Sequence, residues 1–112
     1  MSLIYKICDV DLWEKAKAEG QFTGAQIDLK DGFIHFSTAE QLGETLALHF
    51  EGIENLLLLT VDGRRLDLKW EPARTGNLFP HLYDILPLSA VLRIHPLCLM
   101  MRGVTYCPAS FE

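Results

Sequence analysis

The stretch KDGFIHFSTAEQ, residues 30–41, joins a short apolar run directly to the start of a helix. Its Asp-Gly pair predicts a turn into a strand over residues 33–36, because both residue types favour turn conformations. The four residues from Ser37 to Glu40 have the spacing of a capping box, in which the serine hydroxyl accepts from a free helix N–H and the glutamate reaches back. The sequence therefore predicts a strand that carries His35 to the N-terminus of a helix.

Apolar runs on either side of this stretch predict the remaining elements. Strands are predicted over residues 3–8, 33–36, 55–62, 66–70 and 90–94, helices over 9–20 and 37–52, and loops over 21–30 and 71–77. The run 55–62 (NLLLLTVD) is continuously apolar between turn residues, which is typical of a buried central strand. Strands predominate, with two helices in the N-terminal half and none in the second. This pattern predicts an α+β fold with a curved, mainly antiparallel sheet.

The composition fits a packed protein with one domain over residues 1–112, since 49% of the residues are hydrophobic and 22% are charged. The net charge of -5 argues against an extended nucleic-acid surface but allows a small local pocket for an anion. The apolar runs are too short to cross a bilayer, and the N-terminus lacks the pattern of a secretory signal. We therefore expect no membrane partner.

The cysteines and the short motifs also limit the possible functions. Cys8, Cys98 and Cys107 form an odd set without a CxxC motif, which is typical of reduced thiols in a cytoplasmic protein. The histidines show no HxH, HxxxH or HExxH spacing, so no metal site is predicted. Glycine-rich loops of the Walker or Rossmann type are absent, and the sequence identifies no cofactor.

His35 is the first candidate site residue. Alternate residues of a strand share a face, so Phe33, His35 and Ser37 lie on one face and Ile34 and Phe36 on the other. A helix N-terminus offers free N–H groups to an anion. His35, Ser37 and Thr38 are therefore predicted to surround a small site for an anion or a polar sugar. The alternatives are a structural histidine on a half-buried strand and, for Ser37, helix capping, which we favour over a role as nucleophile.

A second candidate segment is LFPHLYDILPL, residues 78–88. If it is extended, His81 and Tyr83 share a face, with apolar neighbours on the other. Glu71 and Arg74 lie three residues apart in EPARTGN, where they form either a ligand site or a structural ion pair. We expect His35, His81, Tyr83 and Glu71 to converge in one cleft, because each interrupts an apolar context without a local partner.

Several stretches together resemble domain-of-unknown-function family 952, a group of small, mainly bacterial proteins. They are IYKI (4–7), DGFIHFSTAEQL (31–42), LLLLTVD (56–62), LKWE (68–71) and FPHLYDILPLSAV (79–91), and IHFST and FPHLY are the most specific parts. The resemblance covers nearly the whole chain and carries over no activity. It implies a fold of the ADP-ribosyltransferase type.

That superfamily has landmarks that can be compared residue by residue. Its first strand has the form LYHGT, whose histidine holds a ribose, and Lys6 stands at the matching place of IYKI here. Its second strand has the form IYFS, and His35 stands where the tyrosine stacks on nicotinamide. Its late catalytic glutamate has no match, because Glu71 lies in a different context. These departures predict little or no ADP-ribosyl transfer from NAD.

The sequence thus predicts a cleft that binds an anionic, nucleotide-like or phosphorylated small molecule without transferring ADP-ribose. The alternative is a transferase acting on NAD, ADP-ribose or a phosphorylated substrate, with His35 or His81 as general acid/base and Glu71 steadying positive charge. Arg74 or Lys6 would pair with phosphate, and Lys6 could also pair with Glu71. A second alternative is a structural or partner-binding domain.

Overall fold

The computed structural model describes residues 3–49, 55–72, 76–100 and 103–106. In chain order the elements are β1 (Leu3–Asp9), α1 (Val10–Glu19), β2 (Gln21–Phe22), α2 (Gln26–Asp31), β3 (Ile34–His35), α3 (Ala39–His49), β4 (Leu56–Asp62), β5 (Leu68–Pro72), β6 (Leu78–Leu82), β7 (Leu86–Pro87), β8 (Val91–Met100) and β9 (Gly103–Tyr106). Two 3-10 turns, Gly63–Arg65 and Leu88–Ala90, precede β5 and β8. The α+β class is confirmed, with three α-helices among the described residues where two were predicted.

All the strand pairs among the described residues are antiparallel, and they form three sheets. The largest has the order β1-β4-β8-β9, a second has the order β3-β6-β5, and β2 pairs with β7. Tyr5 and Ser37 form an isolated bridge in which each backbone N–H donates to the other residue's carbonyl, at 2.8 and 2.9 Å. This bridge places the end of β3 beside β1, so residues of the two larger sheets can meet.

The central strand β4 is buried along its whole length, as its continuous apolar run predicts. Leu57, Leu59 and Val61 pack into the larger core, which also contains the apolar residues of α1, β2, β3 and β6. Leu56 and Leu58 belong to a second cluster, against which α3 packs. Because β1 pairs with β4 residue by residue, alternate side chains of β1 also point in turn towards the larger core and towards the second cluster.

The first helix begins and ends as predicted. The Leu12 N–H donates to Asp9 Oδ1 at 2.7 Å, and Gly20 ends the helix with φ +81° while its N–H donates to the Ala16 carbonyl. In the described part of the chain, no helix has both the length and the hydropathy needed to cross a membrane.

The start of α3 differs from the prediction by one residue. Thr38 Oγ1 accepts from the Gln41 N–H at 3.3 Å, and Gln41 Oε1 accepts from the Thr38 N–H at 3.0 Å. The capping box therefore uses Thr38 and Gln41, whereas the Ser37 hydroxyl bonds to that of Thr45 at 3.1 Å. The reason is that the backbone of Ser37 is still paired with β1, which delays the helix start. The predicted end at Gly52 lies outside the described residues.

The two predicted loops are also corrected in part. Residues 21–30 contain β2 and most of α2, and Glu71 lies within β5, opposite Phe79 on β6. Helix α2 has only six residues, so the segment is too short to show a helical period in the sequence. Residues 73–75 of the second loop lie outside the described residues.

A glycine before α2 provides the first test of this fold. Gly24 has φ +118°, and a Cβ on it would lie 2.8 Å from the Cβ of buried Asp28. We expect Gly24→Ala to lower the free energy of unfolding by about 1–3 kcal/mol or more, from backbone strain and this contact. Gly43→Ala is the control, because a Cβ there meets nothing within 4 Å. It should stabilise the exposed helix position by about 0.5–1 kcal/mol. Urea denaturation of both variants measures the difference, and equal stabilities would contradict the placement of Gly24.

Candidate functional site

Asp28 lies at the base of the candidate site and is almost completely buried, with 1% of its side chain exposed. Its Oδ2 accepts from Lys6 Nζ and from the Ala25 N–H, both at 2.7 Å. Its Oδ1 accepts from the His35 N–H at 3.1 Å and from His35 Nδ1 at 2.5 Å. One carboxylate therefore holds together β1, the start of α2 and β3.

The pKa of Asp28 reflects its burial and these four donors. Burial alone acts to raise its pKa, but the hydrogen bond from His35 and the charge of Lys6 outweigh burial and lower the pKa to about 2. Asp28 is therefore ionised at neutral pH.

Lys6 extends from β1 into this same buried region, with 6% of its side chain exposed. The expectation that Lys6 pairs with Glu71 is wrong, because its ammonium pairs with Asp28, on a helix that the sequence did not reveal. Burial lowers the pKa of Lys6, and the attraction of Asp28 opposes this effect only in part. The charge of Lys6 is therefore already matched inside the protein.

His35 lies between two carboxylates. Its Nδ1 contacts Asp28, and its Nε2 lies 3.0 Å from Asp31 Oδ2. Ionised carboxylates can only accept, so both hydrogen bonds form together only when the ring is the doubly protonated imidazolium. Since both nitrogens are engaged, His35 positions its neighbours and has no nitrogen left for a ligand.

Four rings meet above this buried group and form a ring cluster of Phe33, His35, His81 and Tyr83. Phe33 stacks on His81 with centroids 4.1 Å apart, and lies 4.6 Å from His35 and 5.0 Å from Tyr83. The two histidine rings meet edge to face at 5.4 Å, because His35 and His81 are directly opposite in the β3–β6 pair. The register of β3 and β6 thus brings the two histidines onto one face, and their predicted convergence is observed.

Glu71 on β5 ties two of these rings together. His81 Nδ1 and the Tyr83 hydroxyl both donate to Glu71 Oε1, each at 2.7 Å. The hydrogen bond from His81, and after it the one from Tyr83, lowers the pKa of Glu71. The bond between Tyr83 and Glu71 also raises the pKa of Tyr83. Glu71 thereby fixes His81 with its proton on Nδ1.

This arrangement leaves two polar atoms available. Within the described residues, neither His81 Nε2 nor Glu71 Oε2 has a hydrogen-bond partner. No buried side-chain nitrogen or oxygen in that part of the chain lacks a partner, so both atoms reach solvent. A ring that carries its one proton on Nδ1 has a lone pair on Nε2, and Oε2 is a carboxylate oxygen, so the site presents two open acceptors.

Comparison with known proteins identifies the family to which this chain belongs. The model of a family described as protein of unknown function (DUF952) matches residues 7–94. The chain belongs to this family. Its fold is similar to the crystal structure of protein CC0527 from Caulobacter crescentus, a structural-genomics target, with 50% sequence identity, 92% of each chain covered and a TM-score of 0.88.

The solution NMR structure of the same Caulobacter crescentus protein is also similar. It is 50% identical, with 93% of this chain and 91% of that chain covered and a TM-score of 0.80. No curated protein matches the chain. The DUF952 fold is thus shared with a solved relative over nearly the full length of both.

The predicted site residues of this DUF952 chain separate into three groups. His35, His81, Glu71 and Tyr83 come together, with Lys6 beneath them. Ser37 is buried, and Thr38 lines a different open groove of about 700 Å3 beside Tyr5 and Trp70. Arg74 lies outside the described residues. Among the residues that the structure describes, no group of three or more His, Cys, Asp or Glu side chains is placed to hold a metal ion.

Three residues of the site were missed from the sequence: Asp28, Asp31 and Phe33. Both aspartates depend on α2, and the one available signal was Gly32, which ends that helix with φ +87°. Phe33 was assigned to the correct face of the strand but was not recognised as the ring at the centre of the ring cluster.

The buried ion pair makes a strong prediction for stability. Asp28→Asn leaves the Lys6 ammonium buried without a counter-charge, so we expect it to cost about 3–5 kcal/mol. The double variant Asp28→Asn with Lys6→Met removes both charges and should be less destabilised than the sum of the single changes. Glu14→Gln is the control, because it breaks a 3.1 Å pair with Lys17 that is largely exposed. It should cost less than about 1 kcal/mol. Urea denaturation gives all four values, and similar costs for Asp28→Asn and Glu14→Gln would contradict this account.

The lowered pKa of Asp28 predicts how stability depends on pH. Its folded value of about 2 lies below the ordinary 3.8, so its contribution is present above about pH 5 and is lost as the pH falls towards 2. The loss should be about 2 kcal/mol. Carboxyl 13C NMR titration of the wild-type protein measures the pKa directly. A normal value for Asp28 would show that its donors do not stabilise the charge.

Proposed function

We propose that the face carrying the ring cluster and Glu71 binds the sugar and ring portion of a nucleotide-like small molecule without transforming it. The observation that carries this proposal is the 2.7 Å bond from His81 Nδ1 to Glu71, which leaves His81 Nε2 and Glu71 Oε2 as open acceptors on two bonded side chains. Ribose hydroxyls are donors that such a pair of acceptors recognises.

The rings beside these acceptors suit the same ligand. Tyr83 is 48% exposed, and its hydroxyl is fixed by Glu71, so the ring is held in place while part of its surface stays open. A sugar or a nucleobase can pack on such an aromatic surface. The protein side is already ordered by hydrogen bonds, which reduces the entropy lost on binding.

The same geometry supports the expectation of little ADP-ribosyl transfer from NAD. Lys6 occupies the place where the ADP-ribosyltransferase superfamily has a ribose-binding histidine, and it is buried against Asp28. His35 occupies the place of the nicotinamide-stacking tyrosine, and both its nitrogens are engaged. We therefore propose that this chain does not use the superfamily's usual route.

We further propose that the fold is of the ADP-ribosyltransferase type. Support comes from the Tyr5–Ser37 bridge, which sets the first strand beside the IHFS strand. Lys6 and His35, the two altered landmarks, both contact Asp28 across this junction.

A transferase remains the second candidate, and one observation favours it. A carboxylate that orients a histidine whose other nitrogen is open is an arrangement used for general acid/base catalysis. His81 Nε2 would accept the proton of an attacking hydroxyl and return it to the leaving group. The substrate would be NAD, ADP-ribose or a phosphorylated molecule.

Titration of 15N-labelled protein with adenosine, ribose, ADP-ribose and NAD tests both candidates. We expect adenosine to shift the His81 side-chain resonances, and His81→Gln to weaken its binding about tenfold, or about 1.4 kcal/mol. Glu40→Gln is the control, because Glu40 lines the other groove. It should leave binding unchanged.

Release of nicotinamide from NAD, followed in the same samples, separates the two candidates. No release together with binding supports the binding module. Release that His81→Gln abolishes supports the transferase. If none of the four probes shifts His81, the proposal fails.

A further inference from the structure

We propose that Lys69 binds a phosphate group of the ligand, so that the site accepts a nucleoside monophosphate with its phosphate at the edge of the β3-β6-β5 sheet. This inference rests on the proposed function, which concerns only the sugar and the ring. It assigns a binding role to a residue that neither the sequence pattern nor the hydrogen bonds of the site had indicated.

The first argument is the register of the strands. His35 on β3 is directly opposite His81 on β6, and His81 is directly opposite Lys69 on β5. Residues directly opposite in antiparallel strands point to the same face, with Cβ atoms about 4.5–5.5 Å apart. His35, His81 and Lys69 therefore form one row of basic residues across three strands, which we call the basic row.

The second argument concerns the carboxylate partner of each member of the basic row. Asp28 and Asp31 contact the nitrogens of His35, and Glu71 contacts His81. Lys69 is exposed and forms no ion pair with any residue in the described part of the chain. It is therefore the member of the basic row whose charge is available to a ligand.

The position of Lys69 relative to Glu71 supports this placement. The two residues are separated by one position on β5 and so share a face. The pKa of Glu71 is lowered first by the bonds from His81 and Tyr83, and the charge of Lys69 adds to this effect. A ligand whose hydroxyl donates to Glu71 Oε2 can thus bring an attached phosphate towards the Lys69 ammonium.

The third argument concerns the kind of anion. Lysine binds phosphate as a compact point charge, without the two-pronged geometry that arginine imposes. Strand β5 is at the edge of its sheet, so a phosphate bound there stays partly hydrated and needs no further buried cation. The net charge of -5 disfavours nucleic acid and other long polyanions. A monophosphate on a small molecule is the anion that fits.

The test compares adenosine, AMP and inorganic phosphate as probes on the full-length wild-type chain and on Lys69→Gln. We expect AMP to bind the wild type about tenfold more tightly than adenosine, and Lys69→Gln to reduce this ratio to about twofold or less while adenosine affinity stays unchanged. Raising the salt from about 50 to 300 mM should weaken AMP but not adenosine. Lys15→Gln is the matched control, since it also removes one exposed lysine, on α1.

The outcomes separate this inference from the proposed function. If adenosine binds but AMP binds no better, or if the AMP preference survives Lys69→Gln, the role of Lys69 is refuted and the proposed function stands. If AMP and inorganic phosphate bind through Lys69 while adenosine does not bind, the phosphate-binding role of Lys69 stands and the proposed binding of the sugar and ring fails. Binding of none of the three probes overturns both.

Discussion

The structure depends on one buried carboxylate. A buried ion pair stabilises a protein only when further hydrogen bonds offset the loss of water from both charges. Asp28 meets this condition, because two backbone N–H groups and the His35 ring join Lys6 around its two oxygens. The four donors come from three separate segments, so satisfying the carboxylate fixes the position of β1, α2 and β3 together. Gly24 is needed beside it, since any larger residue would meet Asp28.

The same carboxylate helps to determine which histidine keeps a ring nitrogen open. Asp28 and Asp31 hold His35 at both nitrogens, and the fixed ring supports Phe33 and the edge of His81. His81, held only through Nδ1, keeps Nε2 open. The two histidines look alike in the sequence, where each sits in an apolar strand. Their difference arises from how many carboxylates the fold brings to each.

What the sequence predicts depends on how local the determining interactions are. The strand β4 and the helix α1 are recognisable because their apolar pattern, caps and stops lie within the segments themselves. Strand alternation is equally local, so the shared face of Phe33 and His35 and that of His81 and Tyr83 could be predicted. The convergence of His35 with His81 was predicted because each interrupts an apolar context, and the β3–β6 register that produces it is not local. Helix α2 could not, because six residues show no period and Asp28 is held by contacts from distant segments. The missing helix explains why the partner of Lys6 was wrong and why two acidic site residues were overlooked.

The carboxylate partners of the basic residues of the site differ between the buried base and the edge of the sheet. At the base, Lys6 and Asp28 compensate each other out of contact with water. In the middle, His35 pairs with Asp31 and His81 pairs with Glu71. Both pairs are partly exposed to water. At the sheet edge, Lys69 has no such partner within the described residues. A protein with excess negative charge that leaves a cation open beside oriented acceptors creates a local polarity opposite to its overall field. This polarity is the reason that the proposed ligand has hydroxyl groups at one end and an anion at the other.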